Sequence, residues 1–181
     1  MKRFSLLILV VLIFSSCKKE YQPRNIESIT IQEFKMDSLN IRAIRVLSIN
    51  EVHYAAANGE LGCITNNNKK ELHNIKHDSI IPNYRSLAYN GKDFFALSIA
   101  NPALLYKYNE HKIELVYKEE HDKVFYDSMK FFVDGKYGIA VGDPTDTCPS
   151  IILTSDRGDS WTKLSCESLP VFDDGEAFFA A

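Results

Sequence analysis

Thr154-Ser155-Asp156-Arg157-Gly158-Asp159-Ser160-Trp161 stands between the apolar run Ser150-Ile151-Ile152-Leu153 and the short stretch Thr162-Lys163-Leu164. β-Branched and aliphatic residues on either side of a Gly- and Asp-rich octet read as two strands and the corner between them. Gly158 can take the positive φ that such a corner needs, and the Asp156 carboxylate can turn back onto the N–H groups of the bend. Trp161 then opens the returning strand with a large apolar anchor.

Outward from this corner, the chain repeats. From Ile29 onward, short β-branched or aromatic runs alternate with Asn, Gly, Asp and Pro, and no segment keeps a 3.6-residue apolar period for three turns. That pattern is all-β. Arg42-Ala43-Ile44, Arg85-Ser86-Leu87 and Asp127-Ser128-Met129 each open a strand, at spacings of 43 and 42 residues. A second marker, a small-residue strand that runs into a turn at Asn58, Asn101 and Asp143, keeps the same spacings. About four strands per unit at this period is the signature of a β-propeller of four-stranded antiparallel blades. Blades are expected near residues 42–75, 85–118 and 127–166, with the start of another at 171–181, so the propeller is partial and incomplete over 28–181. The stretch Ile29–Phe34 is a candidate strand of a closing blade. Ile64-Thr65-Asn66-Asn67-Asn68-Lys69 falls at the corner's position in the first unit, with Asn for Asp and no Trp. The expectation is an N-terminal fragment of a longer ring.

The spacing [S/T]-x-D-x-G-x-[S/T]-W is met by Thr154, Asp156, Gly158, Ser160 and Trp161. It resembles the Asp-box, or BNR repeat, of sialidase-like and photosystem II assembly factor-like β-propellers. In those families the box lies on the propeller's periphery, which implies a fold role for these five residues.

At the other end of the chain, Lys2 and Arg3 precede an apolar run from Phe4 to Phe14, then Ser15-Ser16-Cys17. Eleven helical residues span about 16 Å, half of a bilayer's ~30 Å core, so residues 1–16 read as a signal peptide. The small residues before Cys17 resemble the lipobox of bacterial lipoproteins, with Phe14 where Leu is commoner. The resemblance implies acylation of Cys17 and attachment, through residues 17–27 as a polar tether, to a membrane of a Gram-negative envelope. The outer membrane, on its periplasmic or surface face, is the expected site. With Lys2 and Arg3 removed, 19 of the 21 basic side chains remain against 24 acidic ones, a net charge of −5. That charge argues against nucleic acid as a partner.

Cys148 and Cys166 are, like Thr154 and Ser160, centred on Arg157, so the two thiols are expected to oppose one another across the hairpin and to form a disulfide in an oxidising compartment. Cys63 reads as a buried small apolar side chain. No C-x-x-C occurs, and His73 and His77 sit on what reads as a strand end and loop, so no metal site is expected.

No G-x-S-x-G, Walker loop, G-x-G-x-x-G or H-E-x-x-H is present, and no cofactor is expected. A propeller recognises ligands at a mouth of its channel, lined by the starts of the innermost strands. There the repeat phase places Arg42, Arg85, Asp127 and Glu176, with Arg45, Tyr126, Asp143 and Asp146 beside them. Converging charges are costly unless solvated, paired or used in binding. The first expectation is a non-catalytic binding or assembly platform for an envelope protein or glycan. The alternative is a sialidase-like or other carbohydrate-active enzyme, for which Arg42, Arg85, Tyr126, Asp127 and Glu176 have the right residue types. Such an enzyme would be inactive as a truncated ring.

Overall fold

Of the 181 residues, the computed structural model describes 22–31, 33–173 and 175–178. The expected signal peptide, residues 1–16, and Cys17 lie outside the described residues. Among those described, no helix is long and apolar enough to cross a membrane. The chain divides into Met1–Phe34 and Lys35–Ala181. In the first unit the described residues form no strand and are exposed, Ile29 and Ile31 by 76% and 81%. Among the described residues of 29–34 the expected strand does not appear, and the first sheet begins at Ile41. An extended segment without a ladder of its own is not stable as a strand.

The second unit is built from three antiparallel sheets of four strands each. Blade 1 holds β1 (Ile41–Ser48), β2 (Glu51–Ala56), β3 (Glu60–Thr65) and β4 (Asn68–Asn74). Blade 2 holds β5 (Asn83–Tyr89), β6 (Phe94–Ile99), β7 (Ala103–Tyr108) and β8 (Ile113–Glu119). Blade 3 holds β9 (Tyr126–Phe131), β10 (Gly138–Gly142), β11 (Ser150–Thr154) and β12 (Thr162–Lys163). Each is a meander in chain order, and of the first strands β1 lies beside β5 and β5 beside β9. In blade 1 the β3–β4 turn places Asn66 and Asn67 at φ 49° and 68°, the left-handed pair of a type I′ hairpin.

Blade 2 is covered on both faces. β6 buries Phe94 through Ser98 without a break, where a half-solvated strand would alternate. Odd positions Phe95, Leu97 and Leu105 join Met129, Phe131, Ala140, Ile152 and Trp161 of blade 3. Even positions Phe94, Ala96, Leu104 and Tyr106 join Ala55 and Leu61 of blade 1. The period of two thus sends neighbouring side chains into different seams. Each buried aromatic contributes about 2–3 kcal/mol of transfer free energy.

The Thr154–Trp161 corner is closed by side chains acting on its own backbone. Thr154 Oγ1 donates to Asp156 Oδ1 at 2.7 Å and accepts the Gly158 N–H at 3.0 Å. Asp156 in turn accepts the Ser160 N–H at 3.0 Å and the Ser160 hydroxyl at 2.6 Å. Slight burial pushes the Asp156 carboxyl up, but the Ser160 and Thr154 hydrogen bonds outweigh it and hold it at about 2. Arg157 and Gly158 both have positive φ, and a Cβ on Gly158 would collide with the Phe95 ring of blade 2. Trp161 packs edge-on to Phe131 and Phe95.

Cys148 and Cys166 form a disulfide with Cα atoms 5.4 Å apart. The strand register that suggested it is shifted. Ile152 opposes Lys163 and Leu153 opposes Thr162, so the hairpin is centred between Arg157 and Gly158, half a residue later than expected. Neither cysteine lies in a ladder: Cys148 precedes β11, and Cys166 opens a 3-10 turn after β12. Cys63 is buried in β3 with its thiol free.

Candidate functional site

Each inner strand carries an irregularity at the same place. In β1 the register passes from Ile41↔Ala56 to Ala43↔Ala55, leaving Arg42 without a cross-strand partner. In β5 it passes from Tyr84↔Ser98 to Ser86↔Leu97, leaving Arg85. In β9 it passes from Gly142↔Tyr126 to Val141↔Ser128, leaving Asp127. Three β-bulges therefore recur in phase near the start of the innermost strand, and the extra residue is charged each time. A bulge releases its residue from the pleat and re-aims it, which is why bulges collect at binding sites.

Two of these charges influence one another. The Arg85 guanidinium lies over the Phe125 ring, 5.7 Å from its centroid. Asp127 is only 5% exposed, and among the described residues its Oδ2 has no hydrogen-bond partner. Burial raises its carboxyl above the ordinary range, the charge of Asp143 raises it further, and Arg85 opposes both. Asp143 follows β10, where its N–H donates to the Phe125 carbonyl at 2.8 Å. Its Oδ1 accepts the Phe178 N–H at 2.8 Å. Arg42 is exposed on β1.

Asp143 also borders a cleft of about 550 Å³ between the β10–β11 loop and residues 171–177. Asp146, Asp173 and Glu176 line it too, with Lys123 as the one ammonium group among its described lining residues. Glu176 is exposed and accepts the Asp173 N–H at 2.8 Å. The described part of 171–178 contains no strand.

Tyr126 departs from the expected role. It is fully buried, and its hydroxyl donates to Glu119 Oε2 at 2.7 Å, as does that of Tyr117. Burial by itself would raise the Glu119 carboxyl, but hydrogen bonds from Lys163, Tyr117 and Tyr126 outweigh it and lower it. Lys163 also reaches Thr145 Oγ1 at 3.0 Å. Tyr126 thus belongs to a polar knot between blades 2 and 3, although it adjoins Asp127 in sequence. His73 and His77 are separately engaged. His73 Nε2 bonds the Asn109 carbonyl at 2.6 Å, and His77 Nδ1 pairs with the Tyr106 hydroxyl at 3.1 Å.

The residues that sequence reading overlooked are Phe125, Lys123 and Asp173. Phe125 lies just before a strand whose first residue was taken for a site residue, so the signal lay within two positions.

No protein-family model matches the chain. No curated protein matches it either. Solved structures do. One, YCF48 bound to D1 peptide, is 12% identical with a TM-score of 0.54 over 74% of this chain and 42% of that one. A second, from a nidogen/laminin complex, is 11% identical with a TM-score of 0.51 over 72% of this chain and 50% of that one. A third, U3-55K, is 13% identical with a TM-score of 0.53 over 79% of this chain and 42% of that one. The chain spans half or less of the length of each. Together with the three four-stranded sheets, these likenesses give the chain the fold of a β-propeller, in part.

Proposed function

We propose that the chain is the propeller portion of a lipid-anchored envelope protein, acylated at Cys17, that binds an exposed segment of a protein partner without catalysing a reaction. The observation that carries this reading is the series of in-phase bulges that frees Arg42, Arg85 and Asp127 at one end of the inner strands. A channel mouth that offers two guanidinium groups beside a buried, unpaired carboxylate suits a segment bearing both signs of charge. The acidic cleft next to it favours a cationic side chain there. Two of the solved structures it resembles are described as bound to D1 peptide and as a nidogen/laminin complex, which supports a protein ligand over a glycan. The corner residues Thr154, Asp156, Gly158, Ser160 and Trp161 act as an Asp-box, with a fold role alone. A glycosidase reading is weaker because Tyr126, its candidate tyrosine, is fully buried in the seam between blades 2 and 3, out of reach of a substrate.

The test places a photo-crosslinking amino acid at position 42 of the lipidated protein in envelope membranes. One defined protein adduct is expected, lost in an Arg85→Ala background and absent when the crosslinker replaces the exposed Glu110. An adduct that persists in Arg85→Ala, or none at all, would sink the reading.

A further inference from the structure

The polar knot between blades 2 and 3 takes no direct part in the proposed partner contact, yet it holds the segments that carry it. Its centre is one carboxylate. Glu119, the last residue of β8, keeps only 11% of its side chain exposed and gathers three donors. The Tyr117 and Tyr126 hydroxyls each donate to Oε2 at 2.7 Å, and the Lys163 ammonium pairs with Oε1. A buried ion pair adds little net stability over apolar groups of the same shape. What a satisfied polar network adds is one fixed geometry.

Two arms lead from Glu119 toward the mouth. The first runs through Tyr126, which pairs with Gly142 at the first rung of β9, while the next rung joins Ser128 to Val141. The bulged Asp127 between them has no rung of its own, so its neighbours set its place. Gly142 is packed close against them: a Cβ there would lie 2.2 Å from the Phe125 carbonyl oxygen, to which the Asp143 N–H donates at 2.8 Å. Fixing Tyr126 therefore fixes Asp127 on one side and the root of the β10–β11 loop on the other. The second arm runs from Lys163 to Thr145 Oγ1 at 3.0 Å, an oxygen that also accepts the Ser150 hydroxyl at 3.5 Å. Thr145 is buried and lies between Asp143 and Asp146 in sequence, so this arm pins the loop that carries both carboxylates.

We propose that Glu119 is a positioning residue for the mouth. Through Tyr126 it sets the place of Asp127, and through Lys163 and Thr145 that of Asp143 and Asp146. Partner binding then depends on a carboxylate that touches no partner. This rests on the reading of the mouth as the binding site.

Three variants of the full chain open the knot. Tyr126→Phe and Thr145→Val each cut one arm without changing a charge, and Glu119→Gln removes the centre. Asn90→Ala is the control, because it cuts a tie across the same seam at the corner, from Asn90 Nδ2 to the Arg157 carbonyl. The first readout is the titration of the Asp127 carboxyl, followed by its carbon-13 resonance. Burial raises that carboxyl in the wild type, so Tyr126→Phe, which loosens the site, should bring its midpoint down toward the ordinary range. Thr145→Val and Asn90→Ala should leave it in place. The second readout is the adduct from the photo-crosslinker at position 42 of the lipidated protein. Its yield should fall about tenfold in Glu119→Gln and in Tyr126→Phe, as for the loss of a hydrogen bond to a charged group. Asn90→Ala should keep the wild-type yield. An Asp127 midpoint that Tyr126→Phe does not move would overturn the proposal. So would a wild-type yield in Glu119→Gln, or an equal fall in Asn90→Ala, which marks a general loosening of the seam. No adduct from the wild type is a separate failure, one that removes the binding reading and this proposal with it.

Discussion

The two seams of this molecule tie down their outer strands differently. Between blades 1 and 2, His53 stacks on Phe94 at 3.8 Å between centroids and His73 meets Tyr108 edge-on, and the polar ties, His73 to the Asn109 carbonyl and Lys70 to Glu110, start from β4 itself. Between blades 2 and 3 an aromatic trio of Phe95, Phe131 and Trp161 is joined by polar ties to the corner. Asn90 Nδ2 donates to the Arg157 carbonyl at 2.8 Å, Lys107 pairs with Asp159, and Lys163 pairs with Glu119. The outer strands explain the contrast. β4 runs for seven residues and holds itself by its ladder, whereas β12 has two. So short an edge needs anchoring from both ends, and the corner and the Cys148–Cys166 bridge supply it.

The largest effect should come from removing the anchor itself. Trp161→Ala leaves a cavity against Phe95 and Phe131 and is expected to cost about 3–5 kcal/mol, read from the urea midpoint. A loss below about 1 kcal/mol would mean that blade 3 is held by its polar ties alone. Next in size is the double change Cys148→Ser with Cys166→Ser. The bridge closes a sequence separation of 18 residues, worth about 3 kcal/mol in the chain-entropy picture. Hydrogen exchange should show the added opening in β11 and β12 and leave β1 to β4 unchanged. Equal exchange in blade 1 would erase the distinction between the two edges.

How far the sequence revealed this arrangement follows from the range of each interaction. The blade repeat was legible because Arg42, Arg85 and Asp127, with Asn58, Asn101 and Asp143, mark local turns and strand starts. The corner was legible for the same reason, since Thr154, Asp156 and Ser160 bond only within it. The hairpin centre was misplaced because two successive residues, Arg157 and Gly158, take positive φ, which lengthens the bend. Tyr126 was misplaced because a repeat phase gives a position along a strand but not its face, and the bulge at Asp127 flips the alternation there. The Glu119–Lys163 pair joins residues 44 apart in different blades, and no local pattern announces it.

The smallest expected effect concerns pH. Asp156→Ala removes three acceptor contacts from the corner, but the side chain is exposed and its interactions are screened. A cost of about 1 kcal/mol at neutral pH is therefore expected, as for a helix cap. The folded carboxyl titrates at about 2 and the unfolded one at 3.8. A lowered folded value means that the contribution is complete above 3.8 and fades as the pH falls toward 2. Melting temperatures of wild type and Asp156→Ala should thus differ most above that window and converge below it. Blade 1 supplies the control: its β3–β4 turn is closed by Asn66 and Asn67, which do not titrate, so Asn67→Ala should cost the same at both ends of the range. If the Asp156 difference stays constant down to pH 2, the carboxylate is not what closes the corner, and the Thr154 hydroxyl with Gly158 must hold it instead.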